Sequence, residues 1–174
     1  MKNFSKVIAT AAVVLAFSNT SFAQATATAS AAATIITPIS ITKNVDMNFG
    51  NIAVAASVSG TVVLAPAGTR TTGGSGGVTL PSNTGTVAAA DFTVAGQATY
   101  TYAITLPSTT VVLSDGSGHT MNVTAFTSFP SATGTLSGSG TQDLTVGATL
   151  AVAAAQTPGT YTNATGVPVT VNYN

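Results

Sequence analysis

His119 is the only histidine in the chain, and it stands in the stretch Asp115-Gly-Ser-Gly-His119-Thr. A carboxylate, an imidazole and nearby serines are the residue types of nucleophilic hydrolysis. That chemistry needs a hydroxyl beside the imidazole and a donor for the oxyanion. No nucleophile elbow is read in the chain, so His119 is expected to be a solvent-facing hairpin residue. Zinc would need three or four Cys, His or carboxylate ligands. There is no cysteine, and the four carboxylates Asp46, Asp91, Asp115 and Asp143 are widely spread. A weak calcium loop at Asp115 would lack further acidic ligands. No cofactor or metal is expected, and the chain is not read as an enzyme.

Three other stretches invite a chemical reading. Gly68-Thr-Arg70-Thr-Thr-Gly-Gly-Ser-Gly-Gly77 is glycine-rich but lacks the Gly-Lys-Ser/Thr ending of a phosphate loop. It is expected to be an inter-strand loop with a solvated Arg70. Asn122-Val-Thr and Asn163-Ala-Thr match the glycosylation pattern, which arises readily in a threonine-rich chain. Tyr100, Tyr102, Tyr161 and Tyr173 could stack a sugar, but their alternation with small residues reads more simply as strand packing.

The elements that must carry these residues are strands. Residues 1–23 have the layout of a secretory leader: Lys2 and Lys6, an apolar stretch Val7 to Phe17, and a Ser-Phe-Ala23 cleavage site. The apolar stretch is shorter than the roughly 20 residues that span a bilayer. The expectation is a secreted chain, extracellular or at the cell surface after periplasmic transit, with no membrane insertion after cleavage. Beyond residue 23, Lys43 and Arg70 face the four aspartates, a net charge of −2. Such a chain offers no footprint for nucleic acid. Thr, Val, Ile and Tyr favour strands and Gly, Ser, Asn and Pro favour turns. The fold class expected is all-β.

Several runs alternate as one-faced strands should. Gly60–Pro66 reads as a short buried strand. Tyr100, Tyr102, Ile104 and Leu106 share a face. So do Met121, Val123 and Ala125, and so do Leu144, Val146, Ala148, Leu150 and Val152. Val167, Val169, Val171 and Tyr173 close the chain on one face. Eight to ten such strands suggest a β-sandwich.

The longest alternation opens the secreted part. From Ala25 to Phe49, all odd positions are apolar except Thr37 and Lys43. At about 3.3 Å per residue this run would extend roughly 80 Å. A domain of this size is only about 40 Å across. Part of the run must therefore turn or project, with Pro38 and Lys43-Asn44 as the expected breaks. Thr34 to Ile41 suits an edge strand.

The stretches Ala33-Thr-Ile-Ile-Thr-Pro-Ile-Ser-Ile-Thr-Lys-Asn-Val-Asp-Met-Asn-Phe-Gly-Asn-Ile-Ala-Val54, Gly60–Thr71 and Pro158–Asn174 resemble a family of secreted bacterial domains of unknown function, the 4402 family. The resemblance covers residues 25–174. Its most specific parts are Asn48-Phe-Gly-Asn-Ile52 and the ending Gly159-Thr-Tyr to Val-Thr-Val-Asn-Tyr173. The same landmarks occur, more distantly, in spore-coat-U-like and chaperone–usher pilin domains, which commonly carry a cysteine that this chain lacks.

That resemblance implies an immunoglobulin-like, pilin-like sandwich in a fimbrial or surface subunit. It implies assembly by β-strand addition, in which an arm of one subunit completes the sheet of the next. The expected arrangement is a leader at 1–23, an arm at 24–34 and a sandwich at 35–174. Ala25, Ala27, Ala29, Ala31, Ala33 and Ile35 would form the donor face. Val167, Val169, Val171 and Tyr173 would form the acceptor edge. The partner is another copy of the chain or a related surface subunit. The alternative is a self-complete monomer acting as an adhesin or carbohydrate-binding module.

Overall fold

The computed structural model describes residues 23–174. The leader reading at 1–23 therefore lies outside the described residues, Ala23 apart. The chain divides into two units, one ending at Ile35 and the other running from Ile36 to Asn174.

Among the described residues of the first unit, 23–35, none forms a strand and every one is exposed. The second unit is all-β. Its strands are β1 Ser40–Val45, β2 Asn48–Phe49, β3 Ala53–Val54, β4 Gly60–Leu64, β5 Arg70–Gly73, β6 Val78–Thr79, β7 Val87–Ala88, β8 Ala90–Ala95, β9 Thr101–Thr105, β10 Val111–Ser114, β11 Thr120–Phe129, β12 Thr133–Thr135, β13 Thr141–Val152 and β14 Thr170–Tyr173.

The principal sheet runs β1-β8-β13-β11-β10, with β4 also paired to β13 and β5 to β4. A second sheet runs β12-β9-β14, and two short ladders join β2 to β7 and β3 to β6. Every pairing is antiparallel. β13 is the spine. One edge pairs with β11, while the other pairs first with β8 and then with β4.

The alternation in β13 explains its place. Leu144, Val146, Ala148, Leu150 and Val152 all point inward and are buried. Burying a Val or Leu side chain contributes about 1.5–3 kcal/mol, so one strand supplies a large share of the core. Leu144 and Val146 join Ala90, Phe92 and Val94 of β8 beneath the second sheet, where Tyr102, Leu136 and Val171 complete the cluster. This is the packing of a β-sandwich. Ala148, Leu150 and Val152 join Val62 and Leu64 of β4 and Val123 of β11 in a second cluster.

Some details depart from the sequence reading. Pairing begins at Ser40 rather than Thr34, because Pro38 has no N–H to give a ladder. β1 is nonetheless an edge strand, as Pro38 suggested. It runs on through Lys43-Asn44 to Val45, with an irregular register there. Asn44 Nδ2 holds that turn of register by donating to Asp91 Oδ1 at 2.6 Å and Thr93 Oγ1 at 2.9 Å. Ala125 does not share the face of Val123. It has φ of 49° at a register shift in β11, and the inward side passes to Phe126. Such a bulge inserts one residue and reverses the parity.

Candidate functional site

The two hydrophobic clusters are covered unequally. The cluster around Leu144 and Phe92 lies under the β12-β9-β14 sheet. The cluster around Leu150 and Val123 is covered by the two short ladders and by a stretch, residues 156–167, that forms no strand. Over it runs a cleft of about 1290 Å³, walled by residues 43–54 on one side and 156–167 on the other. Met47, Ile52, Leu113, Met121, Val123 and Val152 line it. Small-molecule pockets span about 300–1,000 Å³, so this cleft has room for a length of chain.

The irregular wall is held lightly. Thr162 exchanges two main-chain hydrogen bonds with Ser114 of β10, at 2.8 and 2.9 Å. Asn163 Nδ2 donates to the Val112 carbonyl at 2.8 Å. Tyr161 accepts from Gln156 Nε2 and donates to the Thr157 carbonyl. At the mouth of the cleft, Lys43 and Asp46 form an exposed ion pair at 2.6 Å, of a kind worth 1 kcal/mol or less.

Past the cleft, the same chain becomes β14. It pairs with β9 on one edge only. Val167, Val169, Val171 and Tyr173 face inward, as their parity requires, but only residues 170–173 are laddered. Tyr173 is further fixed through its hydroxyl, which accepts from the Gln97 N–H and donates to the Thr37 carbonyl. Of the arm residues, Ala25, Ala27, Ala29, Ala31 and Ala33 are exposed, and Ile35 is 98% exposed.

The opposite wall contains Asn48-Phe49-Gly50-Asn51, which makes a bend. The Asn48 side chain accepts from the Gly50 N–H at 2.8 Å, and the Asn51 N–H donates to the Thr84 carbonyl at 2.7 Å. Gly50 has φ of 69°, and a side chain there would strike the Thr84 carbonyl. Arg70 is not a solvated loop residue. It opens β5, and its guanidinium donates to the carbonyls of Phe49, Asn51 and Thr84. Sequence gave no signal for this, since the partners lie 14 to 21 residues away.

Of the residues considered for catalysis, Asp115 and His119 are paired, but among the described residues no serine hydroxyl is hydrogen-bonded to the ring. His119 caps the β10–β11 turn, with Nδ1 2.6 Å from Asp115 Oδ2. Burial works to raise the Asp115 carboxyl. The Ser117 N–H, the His119 ring and the His119 N–H outweigh it and hold the carboxyl below its ordinary value of 3.8. Gly73-Gly-Ser75-Gly-Gly77 spells a Gly-x-Ser-x-Gly pattern that the sequence reading passed over. Gly73 ends β5, Gly77 is buried, and the residues between them form an exposed turn leading to β6, without the strand-to-helix elbow that hydrolases use. Among the described residues, no three His, Cys, Asp or Glu side chains gather as a metal site would require.

The four tyrosines form no flat platform. Tyr102 is fully buried and donates to Gln142 Oε1 at 2.8 Å. Tyr100 and Tyr173 meet edge to face, with ring centroids 5.8 Å apart and planes at 68°. Tyr161 lies in the cleft wall.

No curated protein and no solved structure matches the chain. The family described as domain of unknown function DUF4402 matches residues 39–173, which takes in both walls of the cleft and β14 and leaves residues 24–38 outside. That match covers most of the sequence and nearly all of its β-sandwich, and the chain belongs to the DUF4402 family.

Proposed function

We propose that the protein is a structural subunit of an extracellular filament, fimbria or surface layer, in which residues 24–35 of one copy add a strand to the next. The observation that carries this reading is the uneven cover of the core. Half of the principal sheet has a facing sheet, while the other half lies under an open cleft with an apolar floor, one wall of which leads on into β14. A sandwich with such a gap gains stability when an extended segment fills it.

The arm has the properties of that segment. It alternates Ala with Thr or Ser, Ala32 apart, ends in Ile35, and is exposed throughout. Its side chains carry no charge, so inserting them costs no ion desolvation. Its twelve residues span about 40 Å, whereas the four of β14 span about 13 Å. The acceptor must therefore be longer than β14, and the cleft supplies the added length. Main-chain hydrogen bonds would give most of the affinity, because each alanine methyl buried adds only about 0.8 kcal/mol. The immunoglobulin-like, pilin-like description and the secreted location belong to this same reading.

Light scattering on the secreted form, residues 24–174, tests it. The full form should polymerise, and a form lacking residues 24–34 should stay monomeric. Equal polymerisation of the truncated form would show that the arm is not the donor.

A further inference from the structure

We propose that Arg70 is the positioning residue of the cleft, holding its 43–54 wall apart from its floor. This inference rests on the strand-addition reading and adds the element that keeps the acceptor open. The wall leaves the ladder with β8 at Val45, and beyond it is laddered to the rest of the fold only by β2:β7 and β3:β6, two residues each. Between those ladders lies the bend at Gly50 and Asn51. Its phenylalanine, Phe49, is buried, while Met47, Ile52 and Val54 are only half-buried against the core.

A cleft with an apolar floor invites closure, since bringing a wall down on Leu113, Met121, Val123 and Val152 removes apolar surface from water. Something must oppose that. The guanidinium of Arg70 lies behind the wall rather than in the cleft, and binds Phe49 O, Asn51 O at 2.8 Å and Thr84 O at 3.4 Å. Among the described residues no carboxylate pairs with it. Its charge is met by carbonyl dipoles alone, which makes these charge-assisted bonds the local anchor. A planar fork can hold two or three oxygens in fixed directions, whereas an ammonium cannot. Gly50 completes the device, because only a residue without a side chain lets Thr84 O and the guanidinium approach the bend. The stretch Asn48-Phe-Gly-Asn51 is thereby explained as a wall fixed from outside.

A subunit lacking this anchor keeps its arm and loses its acceptor. Arg70→Ala should therefore donate to a wild-type subunit as before and accept poorly, ending chains early. Added at one part in ten to the wild-type secreted form, it should shorten filaments in electron micrographs. Alone, it should polymerise about tenfold less readily in light scattering. Hydrogen exchange should quicken about tenfold at the Asn51 amide and spare the amides of β13. Gly50→Ala, which strains the same bend, should behave alike, and Arg70→Lys should fall between. The proposal is overturned if Arg70→Ala is folded and polymerises as wild type does. It is equally overturned if exchange at residues 49–54 is unchanged, a comparison that stands even if the wild-type chain forms no filaments. In that last case it is the strand-addition reading that fails. An Arg70→Ala chain too unstable to fold shifts the same comparisons to Arg70→Lys.

Discussion

The hydroxyl of Tyr173 donates to the carbonyl oxygen of Thr37 at 2.8 Å, joining residues 136 positions apart in the chain. The phenol oxygen of Tyr173 in turn accepts the Gln97 N–H at 2.6 Å, and Gln97 Oε1 accepts the Thr37 N–H at 3.3 Å. One phenol thus ties the last strand to the segment leading into β1. Gly96 permits it, because a side chain there would collide with that oxygen. Tyr173→Phe leaves the ring and removes two bonds, a loss of about 1–2 kcal/mol. Thermal unfolding should show a melting point lower by a few degrees.

Core and arm should separate cleanly in mutagenesis. Leu150 is 1% exposed in the cluster beneath the cleft, and Leu150→Ala should cost about 2–5 kcal/mol by urea unfolding. Ile35 is almost fully exposed. Ile35→Asp should change the stability of the folded chain by less than about 0.5 kcal/mol. In the assembly assay the ranking should reverse, with Ile35→Asp abolishing polymerisation because a charge would be brought against the apolar floor of the cleft.

Acid should loosen the β10–β11 turn. The Asp115 carboxyl is held below 3.8 in the fold by its partners at Ser117 and His119. A depressed carboxyl contributes stability that is present above 3.8 and is lost as pH falls through the lower folded value. Hydrogen exchange at the Ser117 and His119 amides should therefore accelerate below that range. In Asp115→Asn this acceleration should disappear.

Alkali should act at Tyr102. Burial raises its phenol above the ordinary 10.0. In the unfolded chain this group ionises first, so the stability it contributes is present below 10.0 and is lost as pH rises through the folded value. Absorbance titration should show Tyr102 ionising only as the fold opens, and Tyr102→Phe should remove that late step.

The sequence disclosed what is local and periodic. Leu144 to Val152 alternate without interruption, and the strand they form is the spine of the fold. Val167 to Tyr173 likewise reveal their inward face, although their parity cannot tell that pairing starts only at Thr170. Ala125 was misread because one bulged residue reverses every side chain after it. The cleft was hidden for a different reason. Its walls are residues 43–54 and 156–167, brought together by topology rather than by any pattern within either stretch. Arg70 was hidden likewise, because main-chain carbonyls are its partners and carbonyls leave no mark in a sequence.

Electron microscopy of the purified chain of residues 24–174, with and without excess peptide of residues 24–36, tests the central claim most directly. Strand addition predicts filaments from the protein alone, and short particles or monomers when the peptide occupies the cleft. Uniform monomers at every concentration, with no effect of the peptide, would contradict it and leave a self-complete sandwich.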